Sequence, residues 1–250
     1  MTYMMIIIFI YGLLIGSFLN VVIYRLPNDE SIIFPRSSCP ECNTKLGIID
    51  LIPVISFLIN KGRCRYCETK ISYQYPIVEI LTGILLSMLF MYYQFSAKFW
   101  MYSFLVSLLI ICTFIDFRHK IIPNKITYPG IIIGLILSLL FNHISFKSAL
   151  LGMVITGGTL LLIAILTKGG LGIGDVKFVA MIGTYLGTSY TLMGVFIGSF
   201  VGSILGISLI GLGIKGRKDS IPFGPLIAMG TILMMLWGHK IIAWYVSIYN

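Results

Sequence analysis

Charge is the scarcest feature of this chain. Of 250 residues only 11% are Asp, Glu, Lys or Arg, while 58% are hydrophobic and the mean hydropathy is +0.98. A soluble domain carries about 25% charged residues, so a water-facing surface wrapped around one core is excluded. Histidine is equally sparse: His119, His143 and His239 are scattered, which leaves no histidine cluster for a metal. No basic residue precedes the first apolar run, and the first one, Arg25, follows it. A secretory signal needs a basic start and a shorter apolar stretch, so this run reads as a retained membrane span. Low-complexity tracts and repeats of about 20–50 residues are also missing, which excludes solenoids and arrays.

What remains is a chain of apolar runs. They fall at 4–24, 77–94, 99–115, 126–142, 148–166, 176–188, 190–213 and 223–238, each near the roughly 20 residues a helix needs to cross a bilayer. The expected fold is an all-α polytopic membrane protein of about eight transmembrane helices. The run at 176–188 is short, which points to a broken or tilted helix. Lys and Arg set the orientation. With the N-terminus outside, the inner loops hold Arg25, Arg36, Lys45, Lys61, Arg63, Arg65, Lys70, Arg118, Lys120, Lys125, Lys168, Lys177, Lys215, Arg217 and Lys218, against Lys98, Lys147 and Lys240 outside. This asymmetry satisfies the positive-inside rule. The net charge of +9 then reads as a basic inner rim facing anionic lipid, with no need of a nucleic-acid partner.

One long polar region, 25–75, separates the first span from the rest. It divides the chain into a first transmembrane helix (1–24), a small cytosolic insertion (25–75) and a membrane core (76–250). Within the insertion "GIIDLIPVISFLI" (47–59) is too short to span and contains Pro53, so it is either the insertion's core or an interfacial segment. Gly183, Gly187, Gly194, Gly198, Gly202 and Gly206 recur at helical spacing, a pattern that brings helix backbones together in membranes.

Asp29, Glu30, Glu41, Asp50, Glu68 and Asp219 lie in polar loops; Glu79, Asp116 and Asp175 lie at the ends of apolar runs. An ionisable group at such depth is a functional candidate. Asp116 closes "LLIICTFIDFRHKIIPN" and Asp175 opens "GLGIGDVKFVAM", and two spans lie between them, so both belong on the inner side. Two nearby carboxylates share one proton and serve as acid and base at once, the requirement of aspartyl proteolysis. Gly169, Gly170, Gly172 and Gly174 would let a substrate strand approach the backbone beside Asp175. The competing reading is structural: each Asp caps a helix or pairs with Arg118 or Lys177. For Glu79 pairing with a basic residue and a second site both stand, and Cys112 is a small buried hydrophobe.

"CPEC" (39–42) and "CRYC" (64–67) form two C-x2-C pairs. Cys39, Cys42, Cys64 and Cys67 together suit a closed tetrahedral zinc site with no open position. Two disulfides are the alternative, but the topology places these thiols in a reducing compartment. Zinc would hold a domain of about 50 residues that is too small to fold on its own core.

These segments resemble one family along most of the chain, the bacterial type IV prepilin peptidases, or prepilin leader peptidase/N-methyltransferases. The likeness is carried by "GSFLNVVIYRLP" (16–27), the two cysteine pairs, "IPVISFLINKGRCRYC" (52–67), "ISYQYPIVE" (71–79), "DFRHKIIPN" (116–124), "GIGDVK" (172–177) and "IPFGPLIAMG" (221–230). The resemblance implies GxGD-type aspartyl protease chemistry at the cytoplasmic face of the bacterial inner membrane, with Asp116 and Asp175 catalytic. It implies type IV prepilins or pseudopilin precursors as substrates, cut after a glycine, and methylation of the new N-terminus, usually phenylalanine, with S-adenosylmethionine. It associates methylation with the cysteine-bearing region; Gly16, Asn20, Arg25 and Glu79 lie in matching blocks without an assigned role. Asn124 departs from the family pattern, which often has Asp there.

Three rivals stand beside this reading. Preflagellin-type peptidases share the aspartates but lack the cysteine insertion. A proton-coupled transporter would use buried acids too, but with inverted repeats and acids near the midplane. A membrane-anchored zinc-ribbon module would leave both aspartates unexplained.

Overall fold

The computed structural model describes residues 2–141, 143–168, 170–214, 216 and 221–249. Of the residues singled out above, Gly169, Lys215, Arg217, Lys218 and Asp219 lie outside the described residues. Helices account for the architecture. Among the described residues the only β-type pairing is two isolated bridges, Ser38 to Lys45 and Arg63 to Lys70. The chain forms two compact units, Met1–Phe99 and Trp100–Asn250.

In the first unit α1 (Thr2–Arg25) and α3 (Gln74–Tyr93) pack together, with the four-cysteine lobe and the short α2 (Ile55–Ile59) between them in sequence. Glycine makes the helix pair close. A Cβ at Gly12 would lie 2.6 Å from the Gly83 Cα, and one at Gly16 2.6 Å from the Glu79 Cα, so "GLLIG" works as a small-xxx-small contact. Leu19 and Ile23 of α1 and Val78, Leu86, Leu89 and Phe90 of α3 are buried. Asn20 ties the pair at its lobe end by donating from Nδ2 to the Tyr75 carbonyl at 3.0 Å.

The second unit holds most of α4 (Ala97–His119), then α5 (Asn124–Phe141), α6 (Phe146–Leu166), α7 (Ile173–Gly211) and α8 (Gly224–Tyr249). Ser145 caps α6 by accepting the Ser148 N–H at 3.2 Å. Pro123 precedes α5, where its missing N–H costs nothing. With α1 and α3, seven helices among the described residues are long and apolar enough to cross a membrane.

The sequence predicts separate spans at 176–188 and 190–213; both fall within α7. A straight helix of 39 residues would run about 58 Å, twice the hydrocarbon thickness. The helix breaks at Gly187, whose φ of 73° and ψ of −178° are accessible in practice only to glycine. The break yields two rods, so eight apolar rods result from seven continuous helices. The glycine stripe then packs: a Cβ at Gly183 would lie 2.5 Å from the Gly152 carbonyl of α6, and one at Gly194 3.2 Å from the Gly230 carbonyl of α8. Tyr185, fully buried on α7, satisfies its hydroxyl by donating to the Gly130 carbonyl of α5 at 2.9 Å. Against this axis the last turn of α4 and the first turns of α7 and α8 meet.

Candidate active site

Asp175 lies in the first turn of α7. Gly172 is the extended residue before that helix, and its carbonyl accepts the Asp175 N–H at 3.1 Å. A Cβ on Gly172 would sit 3.1 Å from the Asp175 Oδ2, so the glycine leaves the carboxylate its room. A Cβ on Gly174 would lie 3.2 Å from that of Ile122, so this glycine lets the chain pack closely against Ile122. The two glycines of GIGD thus have separate reasons.

Asp116 is buried in the last turn of α4, where the helix dipole disfavours a negative charge. Another helix compensates. Gly224, the first residue of α8, donates its N–H to Asp116 Oδ2 at 2.9 Å. Asp116 thus accepts the first N–H of a helix other than its own. A Cβ on Gly224 would lie 2.9 Å from the same oxygen, so any larger residue there must push the Asp116 carboxylate aside.

Both carboxylates line one cavity of about 400 Å³ with Lys120, the loop 170–172 and residues 221–223. That volume lies in the range of small-ligand pockets, about 300–1,000 Å³. Lys177, a candidate partner for the aspartates, instead donates to Asn124 Oδ1 at 2.9 Å and lies 5.1 Å from the Tyr128 ring centre. Gly224 and the 221–223 segment carry no role in the sequence reading. Their only sequence signal is "IPFGPL", because the group supplied to Asp116 is a backbone N–H that no side chain announces.

The cysteine lobe brings its four thiols together. The sulfurs of Cys39, Cys42, Cys64 and Cys67 all lie within 4.8 Å of one another, and Cys39 and Cys67 are 3.8 Å apart. Tetrahedral Zn–S bonds of about 2.3 Å put sulfurs about 3.8 Å apart, so the set fits zinc; none of the five cysteines is in a disulfide. Two knuckles, "CPECNTK" and "CRYCETK", repeat one geometry. In each, the first cysteine N–H bonds the Thr44 or Thr69 carbonyl, at 3.0 and 2.8 Å. In each, the residue after the second cysteine, Asn43 or Glu68, has positive φ. The hydroxyls of Thr44 and Thr69 lower the Cys42 and Cys67 thiols, and the Tyr66 N–H lowers Cys64, all toward the metal-binding thiolate. The Cys42 N–H favours the Cys39 thiolate too, but burial and the adjacent Cys42 and Cys64 thiols together push Cys39 up to about 11.

Glu79 is buried where α1 meets α3, and its Oε2 accepts the Val54 N–H at 2.8 Å. Gly16, Asn20 and Glu79 thus share the α1–α3 contact, while Arg25, at the end of α1, donates from Nη1 to the Ser31 carbonyl at 2.9 Å.

Residues 10–94 match the Bacterial Peptidase A24 N-terminal domain, and residues 103–207 match the Type IV leader peptidase family. These two stretches fall on either side of the division between the compact units. The chain is 36% identical to a prepilin leader peptidase/N-methyltransferase of Bacillus subtilis (strain 168), over 98% of both chains. It is 35% identical to proteins of that name from Aeromonas salmonicida (strain A449), over 96% of this chain and 93% of the relative, and from Neisseria gonorrhoeae, over 88% and 86%. No solved structure matches. With both halves matched in order and such identity sustained along nearly the whole chain, this multi-pass membrane protein belongs to the type IV leader peptidase family.

Proposed function

We propose that the protein cleaves the leader from type IV prepilins or pilin-like precursors after a glycine, at the cytoplasmic face of the inner membrane. Asp116 and Asp175 are the catalytic pair in this reading. The observation that carries it is their presence in one cavity at the meeting of three helix ends. One carboxylate, unprotonated, takes a proton from a water molecule whose oxygen adds to the scissile carbonyl carbon. The other, protonated, gives its proton to the carbonyl oxygen. When the resulting diol collapses, one of its hydroxyls returns a proton to the pair, the C–N bond breaks, the nitrogen takes a proton from the pair, and a carboxyl-ended leader and a free amine leave. The Gly224 N–H occupies one oxygen of Asp116 throughout and fixes its orientation.

The freed amine is then N-methylated in the same reading, S-adenosylmethionine supplying the methyl group, with the cysteine lobe required for this second step. Cys39, Cys42, Cys64 and Cys67 would hold a structural zinc ion, which closes the lobe and takes no part in either reaction. A basic inner rim does not attract the positively charged leader, so docking of the substrate's hydrophobic helix dominates recognition. Purified enzyme with a precursor in detergent tests the protease assignment. Asp116→Asn and Asp175→Asn are each expected to abolish cleavage while keeping the wild-type melting profile; full cleavage by either variant would refute the pair.

A further inference from the structure

Segment 48–59 of the lobe is not a core. Seven of its twelve residues are large aliphatics more than a third exposed: Ile48 (88%), Ile49, Leu51, Ile52, Ile55, Leu58 (66%) and Ile59 (71%). Single apolar side chains on a surface need no explanation, but a contiguous set of this size marks an interaction site.

Its position points to the occupant. Pro53 is buried, and Val54, at φ 60° and ψ −47°, holds a conformation strained for a β-branched side chain. Its N–H is bound to Glu79 of α3. Helix α3 has 20 residues and is about 30 Å long, barely enough to cross the hydrocarbon layer, so its first turns lie at the boundary. Glu79 sits about 7 Å along it from Gln74. Segment 48–59 is therefore pinned to the side of a span at the depth where interfacial helices lie, about 5–10 Å into the headgroup and acyl boundary.

Charge completes the surface. Ile59 shares one cup with Lys61, Arg63 and Arg65 against a single acid, Glu68, and Arg65 reaches Asp50 at 4.0 Å, beside Ile49 and Leu51. Aliphatics flanked by exposed cations suit a bilayer with anionic headgroups. We infer that residues 48–59 form an interfacial anchor, immersed in the membrane surface with anionic phospholipid headgroups at Lys61, Arg63 and Arg65. The lobe then lies on the bilayer instead of standing free in water.

The test uses the full chain with a photo-crosslinking amino acid at position 48 or 58, reconstituted in liposomes of equimolar phosphatidylglycerol and phosphatidylcholine. Two highly exposed positions give independent reports, and gel filtration and circular dichroism check the fold. Irradiation is expected to give lipid adducts at both positions. The yield is expected to fall by about fivefold for each charge removed by Arg63→Gln or Arg65→Gln, and also when phosphatidylglycerol is omitted. Adducts to a second copy, or none at either position, overturn the anchor; equal yields on phosphatidylcholine alone overturn the headgroup assignment. Cleavage is not measured, so either outcome leaves the protease proposal standing.

Discussion

The cysteine lobe takes its four ligand candidates from one stretch of chain, Cys39 to Cys67, and holds them with short knuckle hydrogen bonds. The aspartate cavity gathers Asp116, Asp175 and Gly224 from three helices, two of which, α7 and α8, are aligned by a glycine contact far from the cavity. The lobe is thus a local construction whose four thiols fit a metal ion. The cavity is a global one that depends on packing. Damage to the first should stay in the lobe, whereas damage to the second should reach the chemistry without touching the cysteines.

The largest expected break of that contrast is at the carboxylates. Asp116→Asn or Asp175→Asn should reduce leader cleavage below detection, read on gels of a precursor, while zinc content stays that of the wild type. Cys64→Ser comes next. Loss of one thiolate from a closed four-sulfur site should empty it, which metal analysis would register, and methylation should disappear while cleavage continues. Gly224→Ala sharpens the comparison from inside the cavity. Its Cβ would press on Asp116 Oδ2; a full 1 Å misplacement costs about 100-fold in rate, so about half that shift should cost about 10-fold, to be read in kcat with metal content unchanged. The smallest effect is expected for Glu79→Gln. An amide oxygen still accepts the Val54 N–H, so a loss of about 1 kcal/mol or less is expected, whereas Glu79→Ala leaves that donor unpaired and should cost about 1–3 kcal/mol. Thermal melts would separate the two.

The same contrast decides what could be read in the sequence. The knuckles are spelled out in contiguous residues, and their clustering is visible from C-x2-C spacing alone. Asp116 and Asp175 stand out because a carboxylate is rare in an apolar run, yet only the folded chain brings them to one cavity. Gly224 was invisible because its contribution is a backbone N–H delivered from residues far along the chain. The "GLLIG" contact of α1 was equally silent: its meaning depends on Gly83 and Glu79 of α3. In α7 the apolar pattern divides the stretch between 188 and 190, while the backbone turns at Gly187, because periodicity registers polarity and not φ. Segment 47–59 carried two readings in the sequence, and exposure of its aliphatics favours the interfacial one.

The most direct test of the central claim is mass spectrometry of a prepilin-like precursor co-expressed with wild-type, Asp175→Asn or Cys64→Ser enzyme. The expected wild-type product begins at the residue after the glycine and is heavier by one methyl group. Asp175→Asn should return the intact precursor, and Cys64→Ser the shortened, unmethylated chain. An intact precursor from well-folded wild-type enzyme would contradict the peptidase reading and return the buried acids to a transport role.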